Sequence, residues 1–241
     1  PILADAVSGS MLGLSAGYST SDVDVSARQS SADLKAWFIG GYGRFGNGFT
    51  GFTASGALAW GSGDADTSRG ISVNSLSRTA RASYTVDTFA AAAELRYGIA
   101  PSAGWAVGPI ATLEHVKVNR DGFQESGASS LDLTGGSDNA SATAWGLGGF
   151  AGWQGTTGRV SASLRYDRSN RGYAETALQL AGTPGTSHLV RSPDTSRDAA
   201  VLDVSGGVAL GSGWALSAGY RGRYGSDSKT HDALISLTFQ R

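Results

Sequence analysis

Apolar and polar side chains alternate strictly along several short segments of the chain. The last hairpin shows this best: every second residue from Trp214 to Tyr224 is apolar, aromatic or glycine, and the residues between them are small or basic. Segments 88–97, 159–167 and 202–210 alternate in the same way. A period of two indicates a β-strand with two unlike faces. Counted from Ser10 to Phe239, such segments predict ten strands.

The two faces differ in a way that a soluble β-sandwich does not explain. A sandwich hides its large residues and exposes Lys, Glu and Thr. Here the polar face holds Gly, Ala, Ser and charges of both signs, whereas the apolar face ends in aromatic residues. We therefore predict an all-β fold, a transmembrane antiparallel up-and-down β-barrel with lipid outside and a polar lumen inside.

Charged residues support this assignment by their phase in the alternation. Those that fall on the predicted lumen face are Arg44, Glu94, Arg96, Glu114, Arg165, Asp167, Asp203, Arg221 and Arg223. A charge on the opposite face would cost about 2–4 kcal/mol at the midplane of the membrane. The sequence therefore predicts that these nine side chains point into the lumen.

Turn signals divide the chain into a regular series. Glycine-rich turns occur at 46–48, 101–104, 155–158 and 211–213, at intervals of roughly 55 residues, about two strands and their loops. Three of the turns are followed at once by an aromatic residue, namely Phe49, Trp105 and Trp214, which predicts an interfacial girdle. Longer polar stretches lie between the turns, at 20–33, 61–80, 117–141 and 168–198. Short turns at one end and long loops at the other are typical of outer-membrane barrels.

Composition removes several classes of function. The 241 residues include 36 glycines and no cysteine, and 16% of them are charged. Without cysteine there are no thiolate metal sites and no cysteine nucleophile. A formal charge of −1 without a basic cluster argues against nucleic acid as a partner. His115, His188 and His231 lie in separate strand ends or loops, so we expect no enzyme, no cofactor and no metal site.

Four stretches resemble the C-terminal translocator domain, or β-domain, of the classical autotransporters, which are type V secretion proteins of Gram-negative bacteria. They are AGYSTSDVDVSARQSSADLKAWFIGGYGRFG near the start, DTSRGISVNSLSRTARASY at 66–84, DGFQESGASSLDL at 121–133, and DALISLTFQR at the end. The third stretch is the most specific, and the order and spacing of all four follow the family. The resemblance implies a barrel of twelve strands in the outer membrane of a Gram-negative bacterium, with a helix through the lumen that leads back to a secreted passenger.

The resemblance also implies how the chain is organised. Residues 1–241 are expected to form one outer-membrane β-barrel domain that lacks the family's internal helix and first two strands, because the opening resembles the family's third strand. Either ten strands close here or two more are supplied from upstream. The implied function is to secrete an N-terminal passenger or to anchor it at the cell surface. The alternative is a stand-alone outer-membrane channel or surface-display barrel, whose loops at 117–141 and 168–198 bind an external partner.

Partners and roles follow from the same resemblance. The implied partners are outer-membrane lipids, the barrel assembly machinery and the passenger. The machinery would recognise the terminal strand as an insertion signal, carried here by Ala233, Ile235, Leu237 and Phe239. The nine lumen charges would form a hydrated conduit or anchor the internal helix; otherwise they pair with one another and stiffen the barrel. Segment 121–128, with Phe123 and Glu125, would guide the passenger or is a loop held by local hydrogen bonds.

Overall fold

The computed structural model describes residues 10–26, 29–46, 49–170, 175–192 and 195–239. These residues form the strands β1 (Met11–Val25), β2 (Ser30–Phe45), β3 (Gly51–Val73), β4 (Leu76–Gly98), β5 (Trp105–Arg120), β6 (Phe123–Gln124), β7 (Leu133–Gly135), β8 (Asp138–Gln154), β9 (Gly158–Ser169), β10 (Glu175–Leu180), β11 (Ser187–Arg191), β12 (Asp198–Gly211), β13 (Trp214–Gly225) and β14 (Lys229–Phe239). A 3-10 turn lies at Ser129–Leu131, between β6 and β7. No helix among the described residues is both long enough and apolar enough to cross a membrane.

Ten of the strands form one large antiparallel sheet in the order β1-β2-β3-β4-β5-β8-β9-β12-β13-β14. Each long strand lies beside its neighbour along the chain, as predicted for an up-and-down arrangement, and the sheet curls into a half-barrel. Within the described residues, β1 and β14 do not pair with each other, so these ten strands leave two open edges. The all-β antiparallel prediction is confirmed.

The two ends of the sheet differ. Connections of a few residues join β2 to β3, β4 to β5, β8 to β9 and β12 to β13 at one end, which we call the short-turn end. The outer end carries the long connections after β5 and β9. Two of the predicted loops, 20–33 and 61–80, are wrong over most of their length. Residues 20–25 and 30–33 belong to β1 and β2. Residues 61–73 and 76–80 belong to β3 and β4, which stay in register up to the pair Val73 and Leu76. Polar strands resemble loops in sequence when no lipid selects for apolar residues, so this extension was missed.

Burial on the two faces of the sheet is the reverse of that in a soluble protein. Arg165 and Asp167, on the concave inner face, are only 4% and 3% exposed. Leu147 and Leu164, on the opposite face, are 57% and 60% exposed. Soluble proteins bury leucine and leave arginine in water. The convex face therefore requires an apolar surrounding, which a lipid bilayer supplies.

The remaining four strands form a small sheet at the outer end, in the order β11-β10-β7-β6. It is built from the two long connections, which follow β5 and β9. Its inner margin is fixed to the large sheet, because Arg81 of β4 and Ser126 exchange two backbone hydrogen bonds of 2.9 Å. The sequence pattern did not predict this outer sheet.

Candidate functional site

The strand register places all nine predicted lumen charges on one face. One row of cross-strand partners runs Arg44, Ser55, Glu94, Thr112, Gly146, Asp167 across six strands. The other charges lie an even number of residues from this row, at Arg96, Glu114, Arg165, Asp203, Arg221 and Arg223. Since alternate residues of a strand share a face, the charges form a single inner wall.

Arginines and aspartates alternate in a ladder on this wall. Arg165 donates from Nε to Asp167 Oδ1 at 2.9 Å and from Nη1 to Asp203 Oδ2. Arg221 Nε lies 2.6 Å from Asp203 Oδ1, and Arg223 Nη1 lies 3.3 Å from Asp167 Oδ2. The Arg165 and Asp167 side chains are 2% and 5% exposed, whereas Arg221 is 51% exposed. The ladder is therefore buried at β9 and open to solvent at β13.

A glycine on β8 provides the space for this ladder. A Cβ atom built on Gly146 would lie 2.2 Å from Asp167 Oδ1 and 2.5 Å from Thr112 Oγ1. Both distances are shorter than van der Waals contact allows. Gly146 thus lets Asp167 lie flat against the wall, where it can reach two arginines.

Charges from both sides of the half-barrel line one cavity of about 400 Å³. Its wall includes Arg44, Glu94, Glu114, Arg165 and Arg221, which come from β2, β4, β5, β9 and β13. Residues so distant along the sheet share a cavity because the sheet curls. A polar space lined by both signs of charge holds water and offers hydrogen bonds to a polypeptide.

An apolar cluster lies on the inner face near the short-turn end. Ala106, Ile110 and Phe150 are buried together, and the ring of Phe49 packs against them. The guanidinium of Arg96 lies 5.4 Å from the centre of the Phe150 ring. Phe49 therefore points inward, which contradicts its prediction as an interfacial aromatic. It precedes the first residue of β3, so the alternation of that strand does not fix its direction.

Two bands of aromatic side chains surround the convex face. The band at the short-turn end contains Phe45, Phe52, Tyr97, Trp105, Trp153, Trp214 and Phe239, and the band towards the outer end contains Tyr18, Trp37, Trp60, Phe89, Trp145 and Tyr166. Trp37 and Trp60 meet edge to face at 4.9 Å, and Trp214 lies 5.0 Å from Phe239. Trp105 and Trp214 thus lie on the convex face, at the position where we predicted a girdle.

The spacing of the two bands matches a membrane. Phe52 and Trp60 are eight residues apart in β3, as are Trp153 and Trp145 in β8. Eight residues span about 26 Å along a strand and about 20 Å of membrane thickness at a tilt of roughly 40°. The outer band was not among the sequence predictions, although its signal is present in the sequence as a second aromatic residue eight positions along the same face.

The residues of the predicted insertion signal lie on the convex face of β14. Ala233, Ile235, Leu237 and Phe239 pair across the strands with Tyr220, Ala218, Leu216 and Trp214. Ile235 is 76% exposed and Phe239 is 51% exposed. These side chains are accessible along the edge strand, while recognition by the assembly machinery stays a prediction.

A buried ion pair fixes segment 121–128 to the large sheet. Glu125 is 7% exposed and accepts hydrogen bonds from Arg69 Nε at 3.1 Å, from Arg69 Nη2 at 2.5 Å and from the backbone N–H of Leu133 at 2.8 Å. Arg69 also donates to the carbonyl of Leu131 at 2.9 Å. The hydrogen bond to Glu125 raises the pKa of Arg69, so its positive charge is secure. We call this group the Arg69–Glu125 clamp.

Aromatic contacts extend the clamp. Phe123 lies 5.4 Å from the ring of Tyr84, and the guanidinium of Arg120 lies within 6 Å of both ring centres. Arg120 also donates to Thr176 Oγ1 at 3.1 Å, which joins the segment to β10. The local bonding predicted for this segment is therefore present, together with long-range contacts that the sequence did not indicate.

The histidines do not come together. His115 Nδ1 lies 2.9 Å from Thr143 Oγ1, and His231 Nδ1 lies 2.7 Å from the hydroxyl of Tyr220. His188 lies exposed on β11, opposite Leu178. These positions place no nucleophile beside a histidine and a carboxylate. Over the described ranges, no group of three His, Asp or Glu residues is placed to hold a metal ion.

An acidic row crosses the outer ends of the first three strands. Asp22 pairs with Asp33, which pairs in turn with Asp66. A hydrogen bond with Asp22, together with repulsion from Asp22 and Asp66, raises the pKa of Asp33. The row is exposed and lies beyond the outer aromatic band, so it belongs to the region outside the lipid.

Comparisons with known proteins agree with this architecture. The translocator domain of the autotransporter NalP from Neisseria meningitidis is similar with a TM-score of 0.72 and 14% identity, over 97% of this chain and 75% of that one. The transport unit of the autotransporter AIDA-I from Escherichia coli is similar with a TM-score of 0.55 and 12% identity, over 97% and 76%. No curated protein matches the sequence. The family model described as "Autotransporter beta-domain" matches residues 4–221, and the chain belongs to that family.

Proposed function

We propose that the chain forms most of the wall of a translocator pore in the outer membrane of a Gram-negative bacterium, where it secretes a passenger polypeptide or anchors it at the surface. Membership of the autotransporter β-domain family supports translocation of a passenger. The single observation that carries the proposal is the inverted sheet, with buried charges inside and exposed apolar residues between two aromatic bands outside. A water-filled, membrane-embedded wall requires this arrangement.

The inner wall would act by physical rather than chemical means. Its charges of both signs bind water tightly, so an unfolded chain that passes it meets few apolar surfaces. The charged side chains around Arg165 and Asp167 pair with one another, and these ion pairs keep the wall stiff while successive segments of the passenger pass through the cavity. Glu114, which is half-buried, and Arg221, which is exposed, both line the cavity, where they can hold a polar helix or linker. No enzyme chemistry and no cofactor enter this proposal.

The open edges at β1 and β14 call for additional strands. A sheet edge in lipid leaves backbone N–H and C=O groups without partners, at several kcal/mol for each. We propose that two strands and an internal helix, supplied by chain that precedes the described residues, complete the barrel. The greater length of the two similar translocators supports this, because each extends beyond the matched region by about a quarter.

Lipids and the assembly machinery are the other proposed partners. The two aromatic bands would lie at the two interfaces of the bilayer, where their amphipathic rings are most stable. The convex residues of β14, from Ala233 to Phe239, would be read by the assembly machinery during insertion. Nucleic acid has no place in this scheme.

Two adjacent alanines test the orientation of the wall. Ala92 lies on the same face of β4 as Glu94 in the inner row, whereas Ala93 lies on the opposite, convex face, and both residues are exposed. Ala93→Arg should lower the stability of the membrane-inserted protein by about 2–4 kcal/mol, whereas Ala92→Arg should cost much less. Urea unfolding in vesicles and the heat-dependent shift in gel migration measure the difference. Equal losses for both variants would contradict a lipid-facing convex surface.

Export itself is tested on the full-length precursor in intact cells. The passenger should become accessible to added protease when the barrel is intact, and it should stay inside when β13 and β14 are deleted. A passenger that reaches the surface without these strands would refute the proposed function.

The outer sheet favours a second candidate, a surface-display barrel whose loops bind an external partner. The loops at 117–141 and 168–198 contribute the four ordered strands of this sheet. Such a barrel would function without a passenger, and a channel would conduct ions when the chain alone is placed in a planar bilayer. Steady conductance without any upstream segment would support this second candidate.

A further inference from the structure

Polar side chains take the place of the outer aromatic band at the last hairpin, β13–β14. The positions eight residues from Trp214 and Phe239 along these strands are Gly222 and His231, which are cross-strand partners. Eight residues is also the distance between the two aromatic bands in β3 and β8. The pair Gly222–His231 therefore lies on the convex face at the outer interface of the bilayer.

Two tyrosines meet the histidine over this glycine. The hydroxyls of Tyr220 and Tyr224 lie 2.8 Å apart, and the Tyr220 hydroxyl lies 2.7 Å from His231 Nδ1. A Cβ atom built on Gly222 would lie 2.6 Å from the Tyr224 hydroxyl and 2.8 Å from the Tyr220 hydroxyl, so glycine provides the space for both. The Tyr224 and His231 rings meet edge to face at 5.5 Å. The two hydroxyls and the imidazole form one hydrogen-bonded chain.

This chain leaves the second ring nitrogen of His231 for an external partner. With Tyr224 as donor to Tyr220 and Tyr220 as donor to Nδ1, the proton of the neutral imidazole lies on Nε2. Lys229 lies two residues from His231 on the same face of β14 and is the cross-strand partner of Tyr224. The hairpin therefore offers an imidazole N–H and an ammonium group side by side, on the face of the barrel that contacts lipid.

The acids near this hairpin are engaged elsewhere. Asp232 lies on the opposite, inner face of β14. Asp227 accepts a hydrogen bond of 2.6 Å from the hydroxyl of the serine that precedes it. Asp198 of β12 accepts a hydrogen bond from Tyr166 and lies 3.8 Å from Arg168 Nε. These three carboxylates leave the two donors of the hairpin available to an anionic ligand.

We infer that Lys229 and His231 bind the phosphate group of an anionic lipid in the outer leaflet, and that Tyr220 and Tyr224 are positioning residues for the imidazole. The inference rests on the proposed function, because it requires the convex face to lie in lipid. Phosphate oxygens accept strong hydrogen bonds from charged donors, and a lysine at the interface extends its ammonium to the headgroup level. A bound headgroup would hold the last hairpin at a fixed depth, beside the open edge of β14.

Lipid affinity separates a built site from diffuse surface charge. Lys117 is the matched control, because it also lies on the convex face, as the cross-strand partner of Phe89 in the outer band. Titration of the full-length translocator with fluorescent phosphatidic acid, in a neutral detergent, measures the dissociation constant. Lys229→Ala should weaken binding roughly fivefold, the effect of one cation at an anionic lipid surface, and Lys117→Ala should bind as the parent does. Equal losses for the two variants, or no loss for Lys229→Ala, would overturn the inference.

The tautomer of His231 tests the positioning role. Tyr220→Phe keeps the ring but removes the donor to Nδ1, so the imidazole nitrogen chemical shifts of His231 should move from the Nε2–H form towards a mixture of tautomers. Lipid affinity should fall in the same variant. Tyr166→Phe, at another tyrosine of the outer band, should leave both the shifts and the affinity unchanged. Parent-like shifts of His231 in Tyr220→Phe would contradict the hydrogen-bonded chain.

Competition identifies the source of the phosphate. Phosphatidic acid should bind more tightly than phosphatidylcholine, and it should stay bound in inorganic phosphate, because its acyl chains also contact the apolar face. Displacement by inorganic phosphate at an equal concentration would mean a site for a free anion and would refute binding of a lipid.

Failure of this inference differs from failure of the proposed function. If Lys229→Ala binds phosphatidic acid as the parent does, while Ala93→Arg still destabilises the inserted protein more than Ala92→Arg, the lipid-facing wall stands and the headgroup site is lost. If the two arginine variants lose equal stability, the convex face does not lie in lipid, and both fail.

Discussion

Replacement of Arg165 by methionine is the sharpest test of the inner wall. The Arg165 side chain is 2% exposed and holds two carboxylates, Asp167 and Asp203. Methionine keeps much of the volume but removes the charge, so each aspartate retains one arginine. Asp167 keeps Arg223 at 3.3 Å, and Asp203 keeps Arg221 at 2.6 Å. The substitution therefore separates the energy of the central pairing from that of packing.

The structure sets the expected magnitude. Removal of one partner from a buried ion pair costs about 3–5 kcal/mol when the other charge is left without compensation, and the arginine that each aspartate retains keeps the loss at the low end of that range. Asp167 is 5% exposed and loses its closer arginine, whereas Asp203 is 25% exposed and is partly hydrated. We expect a loss near the lower limit, about 3 kcal/mol. Arg221→Met is the matched control, since Arg221 is 51% exposed and a solvated pair contributes about 0–1 kcal/mol.

Equilibrium unfolding of the whole translocator by urea, in vesicles, measures both variants. A double-mutant cycle of Arg165→Met with Asp167→Asn gives the pairwise part directly. If Arg165→Met lowers the free energy of unfolding no more than Arg221→Met does, the buried part of the ladder is as well hydrated as its exposed part at Arg221. The argument that buried ion pairs stiffen this wall would then be refuted.

Three further predictions concern the outer end. Glu125→Gln should speed hydrogen exchange at the backbone N–H groups of Glu125 and Ser126 by about tenfold or more, because hydrogen bonds to a charged group are lost. The control, Asp121→Asn on the same loop, should leave the exchange rate of these two N–H groups unchanged. The pKa of Asp33 is raised in the folded state, so the stability of the outer ends of β1–β3 should fall as pH rises through and above the ordinary carboxyl range. Limited proteolysis measures this pH dependence, and Asp33→Asn should abolish it. A pH dependence that persists in Asp33→Asn would contradict the prediction. Ser196→Ala should loosen the β13–β14 turn, because the buried Ser196 Oγ accepts from the N–H groups of Asp227 and Ser228 at 2.7 and 3.0 Å; thermal unfolding should show a loss of about 1–3 kcal/mol, against almost none for the exposed Ser226→Ala.

The parts of the fold that lie in lipid could be predicted from the sequence. Between the two aromatic bands, every outward position must be apolar and every inward position can be small or charged, so a period of two is imposed along each strand. That constraint gave the strand count and the face of all nine charges, from Arg44 to Arg223. It ends where the lipid ends, and the predictions fail at the same boundary.

Beyond the outer band, different physical terms decide the structure. β3 and β4 continue through Asp66, Ser68 and Arg81 because their backbone ladder needs no apolar face in water. The Arg69–Glu125 clamp joins residues 56 positions apart, and no local pattern signals such a pair. The sequence did mark segment 121–128 through its resemblance to a family, which shows that a motif can be recognised before its contacts are known.

The Arg69–Glu125 clamp and the ladder also explain how one chain can offer few binding groups along its inner wall and still hold the outer sheet in place. Within the lipid, the inner charges satisfy one another along the ladder, so a passing chain finds few permanent partners. At the outer end, Arg69 holds the carboxylate of Glu125 and the carbonyl of Leu131, so the outer sheet cannot swing away from β3 without breaking three hydrogen bonds that Arg69 donates. The same chemistry, arginine paired with a buried acid, therefore stiffens the wall in one place and fixes the outer sheet to β3 in the other.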